Sequence, residues 1–363
     1  MNSIQVKTPS IRTERLDLFL NKLIESFNSN NLELFLSIHS FNDVFFKVEQ
    51  IRWFQDILTD EHAITKIEVS ETDNFDKLKI NFLTKNSFGE RRENHVTYRL
   101  KLHDKQLVIT SLDVQTMTSL RRFSISYSPS MRMEVSVIEE IVSEIISFFY
   151  KRLNVRLNPE DIHIILFDTP VSLASSIPTD HAYGWYEHLE SIKILIPDFI
   201  EDKQTYLRKI LSHEMTHLFL SKISNDNLAL YFQEGVALYI ENSFINQYDY
   251  YPGTNLQKKQ VYDSLEILKE FNSSLMTFDQ LNNLRAEHGV EIYHQGYLWT
   301  NYLISKYGLH LFLEFIESLC LNVYVNKRCL NKIDINNKLT SEQIDNFFPK
   351  IKFQELKDFY LIN

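Results

Sequence analysis

The stretch that most constrains this chain is Leu211-Ser-His-Glu-Met-Thr-His217. Apolar residues flank it on both sides, including Leu207 and Phe219, so the pattern predicts a buried helix over 205–221. On a helix, positions i and i+4 lie on one face about one turn apart. His213 and His217 therefore present two imidazoles toward the same point.

Glu214 adds a carboxylate next to His213, within reach of a water bound between the two imidazoles. Two neutral nitrogen ligands, an open coordination position and a carboxylate base are what a zinc hydrolase requires. The alternative is that two histidines fall four residues apart on a core helix without binding a metal. The H-E-x-x-H pattern favours the metal site, and the flanking sequence decides how strongly.

A third metal ligand is available in Tyr231-Phe-Gln-Glu-Gly-Val-Ala-Leu-Tyr239, a helical and apolar stretch that contains Glu234. A catalytic zinc takes three protein ligands, and two histidines with one glutamate form a standard set. An unpaired buried glutamate is costly, so a metal accounts for Glu234 better than chance does. Glu241, seven residues later on the same helix face, is the alternative ligand.

A hydrogen-bond donor for the reaction is available in Tyr293-His-Gln-Gly296, which opens another apolar helix. The phenol of Tyr293 is suited to stabilise a developing oxyanion. Tyr297, one turn later, takes the same role if the helix is rotated, and a core position is the alternative for both.

These three motifs, in the order H-E-x-x-H, E-G-x-A and Y-x-x-G, resemble those of the gluzincin metallopeptidases. The likeness extends to aminopeptidase-N-like enzymes and to bacterial peptidase MA-like domains, and it covers residues 120–363. The aminopeptidase motif W-L-N-E-G-F-A matches Tyr231-Phe-Gln-Glu-Gly-Val-Ala237. The catalytic Y-x-K-G matches Tyr293-His-Gln-Gly296 except at Gln295.

The resemblance implies a zinc-dependent peptidase with one Zn²⁺ per chain, acting on a peptide or protein substrate. His213, His217 and Glu234 are then the ligands, Glu214 the general base and Tyr293 the oxyanion donor. It also implies a small mixed sheet before the zinc helix, with a peptide added as a strand beside residues 183–196. The candidate substrate contacts are Tyr183, Gly184, Glu187, His294 and Tyr297.

Two departures from the aminopeptidase pattern leave exopeptidase and endopeptidase activity both open. The sixteen residues between His217 and Glu234 make a slightly short gap, and no G-x-M-E-N segment precedes the zinc helix. That segment carries the glutamate that grips a free amino terminus. Glu187 and Glu190 are the candidates for such a grip here. His181 and His188, which flank the predicted substrate strand, are expected to face solvent.

Three other functions compete with peptide hydrolysis. One is a binding protein that keeps the zinc and the peptide groove without turnover, and another is a zinc hydrolase that acts on an ester or epoxide. A purely structural zinc is disfavoured, because such sites usually use cysteines and have no general base beside the metal. All residues that the chemistry requires are present, so the sequence favours an enzyme.

Charge and hydropathy bound the partners and the compartment. The net charge of −10, with a pI near 5.7, and the lack of a basic run argue against nucleic acid or an anionic membrane as partner. The first thirty residues lack a signal-peptide pattern, and no window approaches the length of an apolar membrane span. We therefore expect a cytoplasmic protein with Cys320 and Cys329 free and reduced. The sequence leaves the oligomeric state open.

The predicted fold is α+β, with an accessory domain over 1–117 and a gluzincin, thermolysin-like domain over 118–363. In the first part, helical spacing is followed by period-two alternation, which predicts helices and then an antiparallel sheet with one buried face. That order resembles the NTF2-like fold, a cone of α+β structure. The predicted helices are 12–27, 32–38 and 43–58, the strands 64–69, 78–83, 96–102 and 107–112, and the turns 72–74 and 86–94.

The second part is predicted to begin near 115–118, where the last strand of the first part ends. It is expected to contain a small mixed sheet and then mostly helices. The predicted strands are 122–127, 162–167 and 191–196, the loops 172–178 and 248–253, and the helices 133–153, 205–221, 229–242, 256–271, 278–283, 290–307, 310–321 and 341–348.

Overall fold

The chain has an α+β fold. A computed structural model describes residues 5–7, 14–58, 63–71, 76–85, 91–177, 182–247, 255–285, 288–324 and 331–362. The chain divides into two compact units. The first holds Met1–Val135, Pro159–Trp185 and Leu189–Ile200, and the second holds Ser136–Asn158, Tyr186–His188 and Glu201–Asn363. Among the described residues, none of the helices combines the length and apolar character needed to cross a membrane.

The first sheet confirms the predicted antiparallel strands. Strands β2 to β5 form a meander, and β1 adds to β2 in parallel. Leu78 pairs with Tyr98 and Ile80 with Val96, so the alternating apolar residues share one buried face. The strands are β1 (Gln5–Lys7), β2 (Ala63–Glu71), β3 (Lys77–Lys85), β4 (Arg91–His103) and β5 (Gln106–Leu112).

Three helices share one apolar core with this sheet: α1 (Glu14–Asn28), α2 (Leu32–Leu36) and α3 (Val44–Leu58). Aromatic rings dominate the contact, with Phe27 stacked on Phe54 at 5.3 Å and Trp53 edge-on to Phe82 at 4.9 Å between centroids. This packing explains why α1 is apolar at helical spacing.

His39 lies buried in the same part of the core, where it bridges to Ile109 of β5. Its ring stacks on Phe41 at 5.1 Å, and its Nδ1 lies 2.8 Å from the Phe35 carbonyl oxygen. Burial lowers the pKa of His39 to about 4, although hydrogen bonds with Phe35 and Gln50 oppose the shift. The imidazole is therefore neutral at pH 7.

The other side of α3 carries charged residues that are also buried. Lys193 Nζ lies 2.7 Å from Glu190 and 3.2 Å from Glu49, while Arg52 contacts Glu190 at 2.8 Å. Burial acts to lower the pKa of Lys193, but the two carboxylates outweigh it and raise the pKa to about 12. Glu190 is thus paired with two cations, so it is not free to grip the amino terminus of a peptide.

A second, mixed sheet follows in the same compact unit. Its strand order is β6-β7-β8-β10-β9, with β7, β8 and β10 parallel and the outer strands β6 and β9 antiparallel to their neighbours. Helix α4 (Arg132–Phe148) follows β7, and α5 (Pro170–Ala174) follows β8. The strands are β6 (Gln115–Thr118), β7 (Ser124–Tyr127), β8 (His163–Phe167), β9 (Gly184–Trp185) and β10 (Ile192–Leu195).

In the second compact unit, the regular secondary structure of the described residues is helical. Side-chain caps begin several of its helices; the backbone N–H of Thr205, for example, donates to Asp202 at 3.0 Å. The helices are α6 (Lys203–Ser224), α7 (Leu230–Gln247), α8 (Leu256–Glu270), α9 (Phe278–Leu281), α10 (Gly289–Tyr307), α11 (Leu309–Ser318), α12 (Lys332–Phe347) and α13 (Phe353–Ile362).

Several local predictions were wrong. Residues 91–94 belong to β4 instead of a turn, and residues 172–174 belong to α5 where a loop was expected over 172–178. Strand β6, over 115–118, was not predicted. Helix α12 begins at Lys332, nine residues before the predicted start at 341, because polar residues occupy the buried face of its first turns. Helix α13 was missed. The turn 72–74 and the loop 248–253 lie outside the described residues, and the division into domains 1–117 and 118–363 stays a prediction.

The buried neutral His39 predicts a loss of stability in acid. The unfolded chain takes up a proton on this histidine near pH 6.5, whereas the native state resists protonation until about pH 4. Stability is therefore lost as the pH falls through this window, by about 3 kcal/mol in total. We expect His39→Gln to remove this component. Unfolding by urea at pH 8, 6 and 4 measures it, and equal pH slopes for both proteins would contradict it.

Candidate metal centre

Helix α6 places the H-E-x-x-H motif in its buried middle. The helix runs for 22 residues and packs Leu211, Met215 and Phe219 into the interior. It begins after the Asp202 cap and ends where Asn225 and Asp226 adopt positive φ angles of 54° and 57°. The histidines therefore lie well away from the frayed ends of the helix.

His213, His217 and Glu234 bring their ligand atoms together, within 4.8 Å of one another. Glu234 Oε2 lies 3.3 Å from His213 Nε2 and 3.4 Å from His217 Nε2. Glu234 comes from α7, so the cluster joins two helices. Burial acts to raise the pKa of Glu234, but interactions with His217 and His213 outweigh it and hold the pKa well below its ordinary value.

This spacing fits a tetrahedral zinc ion. Zinc binds histidine nitrogen and carboxylate oxygen at about 2.0–2.2 Å, so two ligand atoms of a tetrahedron lie about 3.3 Å apart. The distances of 3.3 and 3.4 Å from Glu234 Oε2 to the two imidazoles match that edge length. The donor set of two nitrogens and one oxygen is also one that catalytic zinc sites use.

Glu241 occupies a position that sequence analysis did not assign to it. Its Oε2 lies 3.3 Å from Nδ1 of His213, the ring nitrogen that points away from Glu234. Glu241 is therefore a carboxylate behind a histidine of the cluster, and the alternative of Glu241 as third ligand is not favoured. Burial acts to lower the pKa of His213, but the Glu234 and Glu241 carboxylates raise it well above its ordinary value. The sequence contained one signal for this placement: Glu241 lies seven residues after Glu234, which puts both carboxylates on the same face of the helix.

Glu214 is buried beside the cluster on α6. Burial raises its pKa; the nearby His217 and His213 oppose the shift, and Glu234 and Glu241 reinforce it. Among the described residues, none donates a hydrogen bond to its carboxylate. The group is thus held near the cluster with its oxygens available.

Tyr293 approaches the cluster from α10. Its ring lies parallel to that of His213 at 6.1 Å between centroids, and its hydroxyl is within hydrogen-bonding reach of Glu234. The residue is 38% exposed. The charge of Glu234, then burial and the charge of Glu214, raise the pKa of Tyr293 well above its ordinary value. The phenol therefore stays protonated and can donate a hydrogen bond.

The position of Tyr293 depends on two glycines. A Cβ added at Gly235 of α7 would lie 2.2 Å from the carbonyl carbon of Gly296 in α10. A Cβ at Gly296 would lie 1.8 Å from the carbonyl oxygen of Tyr231. The two backbones thus cross so closely that no residue with a side chain fits at position 235 or 296. The crossing places Glu234, next to Gly235, close to Tyr293, one turn before Gly296.

The remaining predicted contacts do not converge on the cluster. Tyr297 is buried, and its hydroxyl donates to Gln257 of α8 at 2.6 Å, so neither the substrate role nor the alternative oxyanion role is favoured. His294 points to the same helix, with Nδ1 3.1 Å from Ser264 Oγ. Glu187 is buried, so it is not a turn residue that faces solvent.

Other residues named around the predicted substrate strand have separate surroundings. Tyr183 is exposed and Gly184 belongs to β9, both in the first compact unit, and their contact with a peptide stays a prediction. His188, expected to face solvent, is half-buried, with Nδ1 2.5 Å from Ser221 Oγ. His181 lies outside the described residues.

A scan against models of known protein families finds no match to this chain, and a search of curated proteins finds no relative. The likeness to gluzincins therefore rests on the three motifs. The distances among His213, His217 and Glu234, and the approach of Tyr293, are the independent observations beside it.

The glycine crossing predicts an unequal response to the same substitution in one helix. Gly296→Ala must push α10 away from Tyr231, and we expect it to cost at least about 1–3 kcal/mol of stability. Gly289→Ala, also in α10, meets no described atom within 4 Å and should be neutral or stabilising by up to about 1 kcal/mol. Chemical denaturation of both variants measures this difference, and equal stabilities would contradict the crossing.

Proposed function

We propose that this chain is a zinc-dependent metallopeptidase. The observation that carries the proposal is the spacing of Glu234 Oε2 from His213 Nε2 and from His217 Nε2. Both distances match an edge of a tetrahedral zinc site, and the buried Glu214 carboxylate lies beside the cluster. The three motifs and their order support peptide hydrolysis among the reactions open to such a site.

His213, His217 and Glu234 would hold one zinc ion, leaving a position for water and substrate. Zinc at this place supplies Lewis-acid activation of water and polarises a peptide carbonyl. Glu241 accepts the Nδ1–H of His213, which fixes the tautomer that presents Nε2 to the site. The surrounding carboxylates also favour a cation over an empty cluster.

Glu214 acts as the proton carrier in this proposal. Its carboxylate takes a proton from the attacking water and delivers it to the amine that leaves when the peptide bond breaks. Because burial raises its pKa toward the working pH, the group is better matched to both transfers than an exposed glutamate.

Tyr293 stabilises the negative oxygen that develops on the attacked carbonyl. Its phenol stays protonated because the Glu234 charge and burial disfavour the phenolate. A donor that is already oriented needs little rearrangement in the transition state, which is where the stabilisation matters.

The finer architecture belongs to the same proposal. We assign residues 118–363 to a gluzincin, thermolysin-like domain and residues 1–117 to an NTF2-like accessory domain, in a cytoplasmic protein. Strand β9, which includes Gly184 and follows Tyr183, is an antiparallel edge of the mixed sheet, and such an edge suits the addition of an extended peptide.

Glu214→Gln tests the proposal. We expect about one zinc per chain in wild type and variant, since Glu214 is no ligand, and peptide cleavage that falls by at least about a hundredfold in the variant. Metal analysis with mass spectrometry of a mixed peptide library measures both, and the products separate terminal from internal cleavage. Zinc in both without cleavage by either points to a peptide-binding protein or a non-peptide substrate. Absence of zinc from the wild type overturns the proposal.

Two tyrosines on α10 give a matched pair. Tyr293→Phe removes only the donor, so kcat should fall by about 10²–10³ while KM changes little. Tyr297→Phe removes a hydroxyl bonded to Gln257 and should leave kcat unchanged at a cost of about 1 kcal/mol in stability. Steady-state kinetics with a peptide substrate compares them. If Tyr297→Phe were the slower enzyme, the assignment of the oxyanion donor would be wrong.

A further inference from the structure

The loop between α6 and α7 sets the distance between the metal-ligand candidates. Residues 225–229 join the helix of His213 and His217 to the helix of Glu234. Asn225 and Asp226 both have positive φ angles, a conformation that such residues adopt less readily than glycine. Because both helices are rigid, a change in this loop moves Glu234 relative to the imidazoles.

One face of α12 holds this loop through three side chains. Lys332, Asn336 and Thr340 are spaced four residues apart, so they form a row along the helix. Lys332 Nζ pairs with Asp226 Oδ2 at 2.6 Å. Asn336 Nδ2 donates to the carbonyls of Asp226 at 3.0 Å and Leu228 at 3.3 Å. The N–H of Ala229 donates to Thr340 Oγ1 at 2.8 Å.

A second row on α12 reaches the segment that precedes α10. Asn337 Nδ2 donates to the Asn282 carbonyl at 2.8 Å, and Asn282 Nδ2 donates to Ser341 Oγ at 2.9 Å. Asn282 Oδ1 in turn accepts from the hydroxyl of Tyr231 in α7 at 3.3 Å. Helix α12 therefore contacts the connections of all three helices that carry site residues, although it contributes no ligand.

These contacts are buried, and for that reason they favour one conformation of the loop over others. Lys332, Asn336, Asn337 and Thr340 are all nearly inaccessible to solvent. A buried polar group costs free energy unless it is paired, and apolar residues would pack a helix face without that cost. In the observed loop conformation Lys332 Nζ, Asn336 Nδ2 and Thr340 Oγ1 are all paired with loop atoms. Loop conformations that break these bonds are therefore penalised.

We propose that the polar row Lys332, Asn336 and Thr340 is a positioning element for the metal centre. By holding residues 226–229, it sets the separation of Glu234 from His213 and His217, and thereby the affinity for zinc. The inference rests on the proposed function, because it assumes that His213, His217 and Glu234 bind the ion.

Two threonines allow a matched test on the full chain. Thr340 and Thr300 are both fully buried, but among the described residues only the first has a hydrogen-bond partner for its hydroxyl. Thr340→Val removes the acceptor for Ala229 N–H, Thr340→Ser retains it, and Thr300→Val makes the same substitution where no bond is lost. Asn336→Leu provides a second variant of the row.

The measurements are zinc affinity, by competition with a chromophoric chelator, and the absorption spectrum of the Co²⁺-substituted protein. We expect Thr340→Val and Asn336→Leu to bind zinc about tenfold more weakly, with an altered Co²⁺ spectrum. Thr340→Ser and Thr300→Val should bind as the wild type does. Circular dichroism of the metal-free proteins establishes that each variant is folded.

The outcomes separate this inference from the proposed function. A wild type that binds no zinc sinks the proposed function and removes the basis of the inference. Zinc binding by the wild type with the same affinity and spectrum in Thr340→Val overturns the inference alone. If Thr340→Val and Asn336→Leu are both unfolded without metal, the row is needed for folding instead of positioning, and the inference is likewise overturned.

Discussion

The close crossing of α7 and α10 is the constraint on which the geometry of the candidate site depends. Gly235 and Gly296 leave no room for a side chain where the helices meet, so the backbones approach until each glycine contacts the other helix. Glu234 directly precedes one glycine, and Tyr293 lies one turn before the other. A larger separation would leave the phenol unable to reach the carboxylate that its hydroxyl now approaches. Both glycines belong to the sequence motifs, and the crossing gives a physical reason why they accompany Glu234 and Tyr293.

The electrostatics of the cluster favours a positive charge between its members. Glu214, Glu234 and Glu241 surround His213 in a buried setting, where charge interactions are stronger than in water. The carboxylates raise the pKa of His213 against the effect of burial, and the histidines hold the pKa of Glu234 low. Such a cluster stabilises positive charge between its members, which a bound cation can provide. The same carboxylates keep the phenol of Tyr293 protonated, so one arrangement suits both a cation in the proposed site and hydrogen-bond donation by the phenol.

Buried polar networks recur in both compact units and serve the same physical purpose. In the first unit, Lys193 pairs with Glu49 and Glu190 between α3 and the mixed sheet. In the second, the polar row of α12 holds the loop between α6 and α7. Apolar residues would fill the interior at a lower cost in free energy than either network, because they avoid the desolvation of charged and polar groups. Each makes its ion pairs and hydrogen bonds in the observed arrangement, and this favours that register of helices, strands and loops over arrangements that break them.

Elements with local sequence signals could be predicted from the amino-acid sequence alone. Periodicity located α1, the strands β2 to β5 and the helices α6, α7 and α10, and helical spacing predicted that His213 and His217 share a face. Local patterns also singled out Glu234 and Tyr293 as candidates. Other features became clear only from the folded chain: Glu241 lies behind His213, Tyr297 is bonded to Gln257, and Glu190 is neutralised by two cations. These outcomes depend on contacts between residues distant in the chain. The early start of α12 was missed for the same reason. Its buried Asn336 and Thr340 are hydrogen-bonded to the loop between α6 and α7, 110 and 111 residues earlier in the chain.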